Sequence, residues 1–386
     1  MAALMEYLNR AVKDGASDLF IVAGGPVSEK LDGQICPISP EKVFPPQTQE
    51  LISALYTLAD RPMEDYLRRG DDDFSFAVPG TARFRVNAYR QRGSLAAVVR
   101  VVAFEIPDWQ SLHIPPQVME LAGVVHGMVL VTGTAGSGKS TTQACIIDRI
   151  NRTRNCHIIT LEDPIEFLHR DQKSIVSQRE IAIDTADYPS ALRACLRQAP
   201  DVILLGEMRD HETIRTAMTA AETGHLVIAT LHTRGAANTI DRIIDTFPPA
   251  QQQQIRVQLS VVLHTVVSQQ LLPDRDGCLI PAYEVMRVNS AVRSMIRDSK
   301  TYQIDNAISS GAAEGMLSMD QSILSLYQDG RIALETALDH ADHPERLRRR
   351  LGLEPAPTSD TRTGRACLAR PVSDTAPARK IPGTDS

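Results

Sequence analysis

Eight residues, Gly133-Thr-Ala-Gly-Ser-Gly-Lys-Ser140, limit what this chain can fold into more than any other stretch of it. They follow the apolar run Met128 to Val131 and continue into Thr141-Thr-Gln-Ala-Cys-Ile-Ile147, so a strand is expected before them and a helix after. The spacing G-x-x-x-x-G-K-[ST] is that of a phosphate-binding loop. Glycines let the backbone curl until successive N–H groups face phosphate oxygens, where a Cβ would intrude. Lys139 brings a point charge to the β- and γ-phosphates, Ser140 offers a hydroxyl to Mg²⁺, and the following helix aims the positive end of its dipole at the anion. A glycine turn that merely happens to contain Gly-Lys-Ser is the competing account, and the strand and helix on either side favour nucleotide binding.

A chain of 386 residues, 43% hydrophobic, can bury a large core and suggests two domains. Its longest uncharged stretches, Leu121 to Gly138 and Gln258 to Pro273, are broken by glycines or by Gln, Ser, His and Thr, so neither reads as a membrane span. The opening Met1-Ala-Ala-Leu-Met-Glu lacks a basic segment leading into an apolar one, and no signal peptide is expected. The cysteines are scattered singly, without C-x-x-C pairs, which points to a reducing cytosol and to no structural zinc. A formal net charge of −6 argues against sequence-independent nucleic-acid binding. The densest basic cluster, Arg346-Leu-Arg-Arg-Arg350, reads as a solvated helix end.

Residues 1–105 read as an α+β domain. A helix carries Leu4, Met5, Leu8 and Val12 at helical spacing and closes at Gly15; Ser17 to Val22 is expected as a strand, and a second strand ends at the hairpin signal Asp32-Gly33. A proline-rich crossing from Pro37 to Pro46 leads to a helix marked by Leu51, Leu55 and Leu58. Phe74–Val78, Ala82–Asn87 and Leu95–Val102 form an expected strand meander whose middle strand places Arg83 and Arg85 on one face. Residues 106–116, with three prolines, read as a linker. Beyond them helical patterns alternate with short apolar strands at Val129–Val131, His157–Leu161, Val202–Leu205 and Leu226–Thr230, the signature of a mainly parallel sheet in an α/β core over residues 117–353. Residues 354–386, almost without large apolar side chains, are expected to be a disordered tail.

Ligands of open α/β sheets bind outside the carboxyl ends of the strands. Here those ends carry the phosphate loop, then Glu162-Asp-Pro-Ile-Glu166, then Gly206-Glu-Met-Arg-Asp210, then Leu231-His-Thr233. A lysine, two acidic groups and a histidine thus reach one edge. One carboxylate can hold Mg²⁺ directly or through water, and another can orient or deprotonate the attacking water. A solvated loop acid is the better account of Glu166 taken singly, whereas Glu162, Glu207 and His232 together require several coincidences. His225 and His232 flank a strand seven residues apart, which excludes a metal pair on one helix and leaves hydrogen bonding in the core or an interface as the plain alternative.

The segments 133–142, Ile159–Phe167, Leu205–Asp210 and Ala221–Thr233 resemble the phosphate loop, aspartate box, Walker B segment and histidine box of secretion ATPases, in the branch of the PilT/PilU retraction motors of type IV pili. Gly15–Phe20 and Ala82–Asn87 resemble the PAS-like amino-terminal domain of those proteins, and the likeness runs from residue 1 to about 350. Ser17–Ile21, Leu196–Asp201, Gln269–Pro273 and Ala337–Asp342 look like PilU; Glu207–Thr213 and Ala291–Arg297 are nearer PilT, with the balance toward PilU. Thr134-Ala135 departs from the Pro-Thr usual in PilT, at positions that owe phosphate no side chain.

The resemblance implies a RecA-like core behind a PAS-like domain, a homohexamer, and ATP hydrolysis with Mg²⁺ that drives or assists pilus retraction (twitching motility). It implies ATP contacts from Gly133, Thr134, Ala135, Gly136, Ser137, Gly138, Lys139, Ser140, Thr141 and His232, Mg²⁺ held by Ser140 and by Glu162 (directly or through water), and catalysis by Glu207 and Glu162. The amino-terminal arginines Arg85 and Arg100, with Arg83 as a further candidate, would reach the nucleotide on domain closure. The histidines would sense the nucleotide state. Val292, Met295 and Ile296 lie at helical spacing, and their segment through Gln303 is associated with retraction in such motors, against a plain surface helix. The implied partners are a PilT-like motor and an inner-membrane platform protein, and the implied place is the cytoplasmic face of that membrane. An accessory ring subunit that works by docking to a partner motor stays open as an alternative. So does a pilus-assembly or type II secretion ATPase, although the tetracysteine motif and longer amino-terminal extension usual there are missing.

Overall fold

A computed structural model of the protein describes residues 1–31, 33–102 and 106–353; Asp32 of the expected hairpin turn and the expected tail, 354–386, lie outside the described residues. Two sheets organise them. The first is antiparallel throughout, in the order β3-β2-β1-β6-β5-β4, from β1 (Asp18–Ile21), β2 (Pro26–Leu31), β3 (Gln34–Lys42), β4 (Asp71–Val78), β5 (Ala82–Gln91) and β6 (Ser94–Val102). The helices Ala2–Asp14 and Pro45–Leu58 supply Leu4, Leu8, Ile52 and Leu55 to its core. Strand β5 alternates as expected, burying Ala82, Phe84, Val86 and Ala88 and turning Arg83 and Arg85 to the other face.

One expectation for this half is corrected. The crossing from Pro37 does not begin there, because β3 runs on through Pro37 and Pro40 to Lys42. It sits at the edge of the sheet, where a residue without an N–H costs no ladder hydrogen bond.

The second sheet runs β13-β12-β7-β11-β10-β8-β9, from β7 (Gly127–Thr132), β8 (His157–Glu162), β9 (Ile175–Glu180), β10 (Val202–Leu205), β11 (Leu226–Leu231), β12 (Leu263–Pro273) and β13 (Leu279–Arg287). All its pairings are parallel except β12 with β13. The expected strands are the four central ones, and they are neighbours in the sheet. Strands β9, β12 and β13 are additions to the expected set: β9 reads Ile-Val-Ser-Gln-Arg-Glu, too polar to announce itself, and β12 lies inside the uncharged stretch weighed above as a membrane span. No helix among the described residues is long and apolar enough to cross a membrane.

The two sheets are tied by a buried clasp. Ser75 Oγ donates to Glu180 Oε1 at 2.6 Å and Arg83 Nη2 to Glu180 Oε2 at 2.9 Å, joining β4 and β5 to the end of edge strand β9. The Arg83 side chain is 18% exposed and that of Glu180 5%, so removing either partner would strand a buried charge, a loss of roughly 3–5 kcal/mol.

Candidate nucleotide site

The order β7-β11-β10-β8 sets four strand ends side by side, and each delivers one expected group: the loop and Lys139 after β7, His232 after β11, Glu207 one residue past Gly206 after β10, and Glu162 as the last residue of β8. All four groups line one cavity of about 470 Å³, together with the loop residues 135–141 and with Tyr188 and Arg209.

The loop is shaped from behind by β12. At Gly133, with φ of 147°, a Cβ would stand 2.3 Å from the Gln269 carbonyl oxygen and 2.5 Å from Ser137 Oγ, so no other residue fits. The Gln269 side chain then fixes the start of the following helix, Lys139–Thr153, by accepting from Thr142 Oγ1 at 2.8 Å. Lys139 is buried and folds back on the loop, its Nζ donating to the carbonyls of Gly133 at 3.0 Å and Thr134 at 2.9 Å. Burial lowers its pKa, while Glu166 and Glu207 oppose the shift.

Glu162 is held on both sides. Its Oε1 accepts from Thr160 Oγ1 at 2.6 Å, two residues back on the same face of β8, and from Gln178 Nε2 at 3.3 Å on β9. Burial pushes its pKa up to about 7, and the Thr160 and Gln178 hydrogen bonds work against the rise. Gln178 also ties down the loop after β8, donating to the Phe167 carbonyl and accepting from the His169 N–H, each at 2.8 Å. Glu207 Oε1 pairs with Arg209 Nε at 2.7 Å, and its Oε2 lies 3.6 Å from His232 Nε2.

The donor set suits the expected ligand. A serine hydroxyl and a carboxylate are hard oxygen donors of the kind Mg²⁺ prefers, and a buried carboxyl whose pKa has been driven up is the sort a cation would return to its charged form. Ser137 Oγ, Gln143 Nε2, His169 Nδ1 and the Tyr188 hydroxyl are buried without a hydrogen-bond partner among the described residues, and all four belong to residues lining this cavity. Orphaned buried polar atoms gathered around one cavity are what a polar ligand satisfies.

The expected arginines stand elsewhere. Arg85 and Arg100 face each other across β5 and β6, and Arg100 Nε donates to Asp18 Oδ1 at 3.0 Å; neither lines the cavity, and Arg83 is engaged in the clasp. The histidines part company too. His225, before β11, uses Nδ1–H to donate to the Ala220 carbonyl at 2.9 Å, closing the end of the helix His211–Glu222, while His232 is in the cavity. The segment Ser290–Arg297 is a helix that buries Val292 and Ile296, well separated in the chain from the cavity-lining residues.

The loop carrying His232 is anchored by a buried carboxylate that the sequence reading does not single out. Glu284 Oε1 accepts the Ala236 N–H at 2.7 Å, at the start of the helix Ala236–Asp245. Burial pushes its pKa up to about 7; the Ala236 N–H opposes this and Asp342, Asp305 and Asp320 add to it. The folded state therefore binds more protons than the unfolded chain between the ordinary value of 4.5 and about 7, and this group's contribution to stability falls as pH rises through that window. Glu284→Gln, which keeps an acceptor for Ala236, is expected to flatten that fall. Melting temperatures of the two proteins across the window should converge at its acid end and favour the variant at its alkaline end.

A P-loop carried by a mixed α/β core, with paired carboxylates at the neighbouring strand ends, defines a nucleoside triphosphatase of the RecA-like kind. The model of the family described as type II/IV secretion system protein matches residues 1–341. The chain belongs to that family, and within it to the branch of the PilT and PilU proteins. It is 43% identical to the type IV pilus retraction ATPase PilT of Pseudomonas aeruginosa over 89% of this chain and 99% of that one. It is 38% identical to the type IV pilus ATPase PilU of the same organism, over 89% and 90%. A crystal structure of the pilus retraction motor PilT with bound ADP superposes with a TM-score of 0.82 at 44% identity, covering 89% of this chain and 98% of the other. The balance toward PilU in the sequence segments is not carried by these identities.

Proposed function

We propose that this chain is one subunit of a hexameric ATPase ring that drives or assists type IV pilus retraction from the cytoplasmic face of the inner membrane. The observation that carries the reading is the meeting of Lys139, Glu162, Glu207 and His232 at four adjacent strand ends in one cavity. The phosphates of ATP lie on the N–H groups of residues 133–141, and Lys139 exchanges the carbonyls of Gly133 and Thr134 for phosphate oxygens. Ser140 and Glu162 would hold Mg²⁺, which offsets phosphate charge when bound. Glu207, oriented by Arg209, polarises the attacking water, and His232 beside it registers whether the γ-phosphate is present.

Residues 1–105 act in this reading as the PAS-like domain and 117–353 as the RecA-like core, joined by 106–116. Arg85 and Arg100 reach the nucleotide when the two close, Arg100 leaving Asp18 to do so. The ring docks to an inner-membrane platform protein and works beside a PilT-like motor. The test is a strain deleted for this gene. Twitching should return with the parent chain and not with a variant that binds ATP without hydrolysing it, and the purified protein should show six-subunit particles by mass photometry. Monomers alone at micromolar concentration, with and without ATP, would overturn the ring. Full retraction by the hydrolysis-dead variant would show that docking to a partner motor, rather than turnover, is the contribution of this subunit.

A further inference from the structure

We propose that the Tyr188 hydroxyl donates a hydrogen bond to the water that attacks the γ-phosphate. The inference rests on the reading of the cavity as an ATPase site. Tyr188 opens the helix Tyr188–Cys195, whose first turn is pinned by Asp187: its Oδ1 accepts the Ser190 N–H at 2.8 Å. The ring is therefore carried on a fixed element. Its oxygen stands 2.8 Å from the point a Cβ on Gly206 would occupy, and the backbone of Glu162 stands 3.3 Å from the same point. A Cβ on Gly206, the residue before Glu207, would thus crowd both this hydroxyl and the Cα of Glu162 at the end of β8.

The hydroxyl is buried and hydrogen bonds to neither carboxylate. A phenylalanine would fill the same volume, whereas a buried hydroxyl without a partner gives up its hydrogen bonds to water and regains none. An oxygen kept at that cost beside two carboxylates is suited to a partner that arrives with the substrate. Position identifies which part of the substrate complex that is. Strand β10, which leads into Gly206, is two places from β7 in the sheet, about 10 Å at ordinary strand spacing. The phosphates nearest the loop are on the β7 side, so what reaches the hydroxyl is whatever lies beyond the γ-phosphate toward Glu207.

In the reaction the water oxygen bonds to the γ-phosphorus and the bond from that phosphorus to the bridging oxygen breaks. Its electron pair stays on the departing ADP. The water gives its proton to Glu207. Tyr188 keeps its own proton throughout: it occupies one lone pair of the water and leaves the other aimed at phosphorus.

The experiment compares Tyr188→Phe with Glu207→Gln in the full chain, measuring kcat and KM for ATP, the Kd of a non-hydrolysable ATP analogue, and the melting temperature without nucleotide. Tyr188→Phe is expected to lower kcat about tenfold, the scale of one lost hydrogen bond, while KM and the analogue Kd stay within about twofold. Its nucleotide-free melting temperature should match or exceed that of the parent, because a buried orphan has been removed. An unchanged kcat in Tyr188→Phe beside a slowed Glu207→Gln would overturn this inference alone. Full activity in both variants would overturn the site reading beneath it. A fall in kcat accompanied by a lower melting temperature and weaker analogue binding would assign Tyr188 to structure and also overturn the proposal.

Discussion

Glu207→Gln is expected to bind ATP as the parent does and to hydrolyse it roughly a hundredfold or more slowly. The substitution keeps the length of the side chain and its reach to Arg209 and His232, so the cavity should not change shape. What it removes is the charge and the basicity needed to take a proton from water. Glu162 is the rival for this role, and its setting makes the comparison informative. It is fastened by Thr160 and Gln178, and its pKa, lifted by burial to about 7, is that of a group able to accept a proton near neutrality. Single-turnover rates of the two glutamine variants decide between them: a normal rate in Glu207→Gln with none in Glu162→Gln would exchange their roles. Normal rates in both would remove the enzymatic reading of this edge.

Lys139→Ala should abolish nucleotide binding at concentrations that saturate the parent, a loss of about a hundredfold or more in affinity from deleting a charge-assisted contact to phosphate in a buried setting. Among the described residues the buried ammonium has two loop carbonyls as hydrogen-bond partners, at 3.0 and 2.9 Å, and burial already disfavours its charged form. Its removal should therefore leave the nucleotide-free fold intact while taking away the cation planted in the loop. Titration with a fluorescent ATP analogue, alongside the melting temperature, separates the two effects. Parental ATPase activity in this variant would refute the phosphate-loop assignment.

The sequence announced the four central strands and the groups at their ends because buried parallel strands are short apolar runs and the site residues follow them directly. It did not announce what supports those groups. Gln178 and Glu180 lie on β9, whose polar pattern hides a strand that only its pairing with β8 reveals. Gln269 and Glu284 stand in apolar surroundings on β12 and β13, and a polar residue in such a run was the available signal. Tyr188 sits more than twenty residues after Glu162 and close to twenty before Glu207 in the chain, and only folding brings it to the strand ends. The arginine pair was legible as a face of β5 and β6, but its distance from the cavity depends on how two sheets meet, which no local pattern encodes.

That meeting has a mechanical side. Glu180, gripped by Ser75 and Arg83, is the register partner of Glu162, and the ladder from His157 with Ile175 to Glu162 with Glu180 binds β9 to β8 along its whole length. A pull on the amino-terminal sheet that travels through the clasp enters the core at an edge strand and is passed as shear, through that ladder, to the strand whose last residue is a carboxylate of the nucleotide cavity. The phosphate loop lies on the far side of β10 and β11 from this point of entry. Load and phosphate thus act on the same sheet at two separate strands, β8 and β7, with Glu207 and His232 just past the ends of the two strands between them.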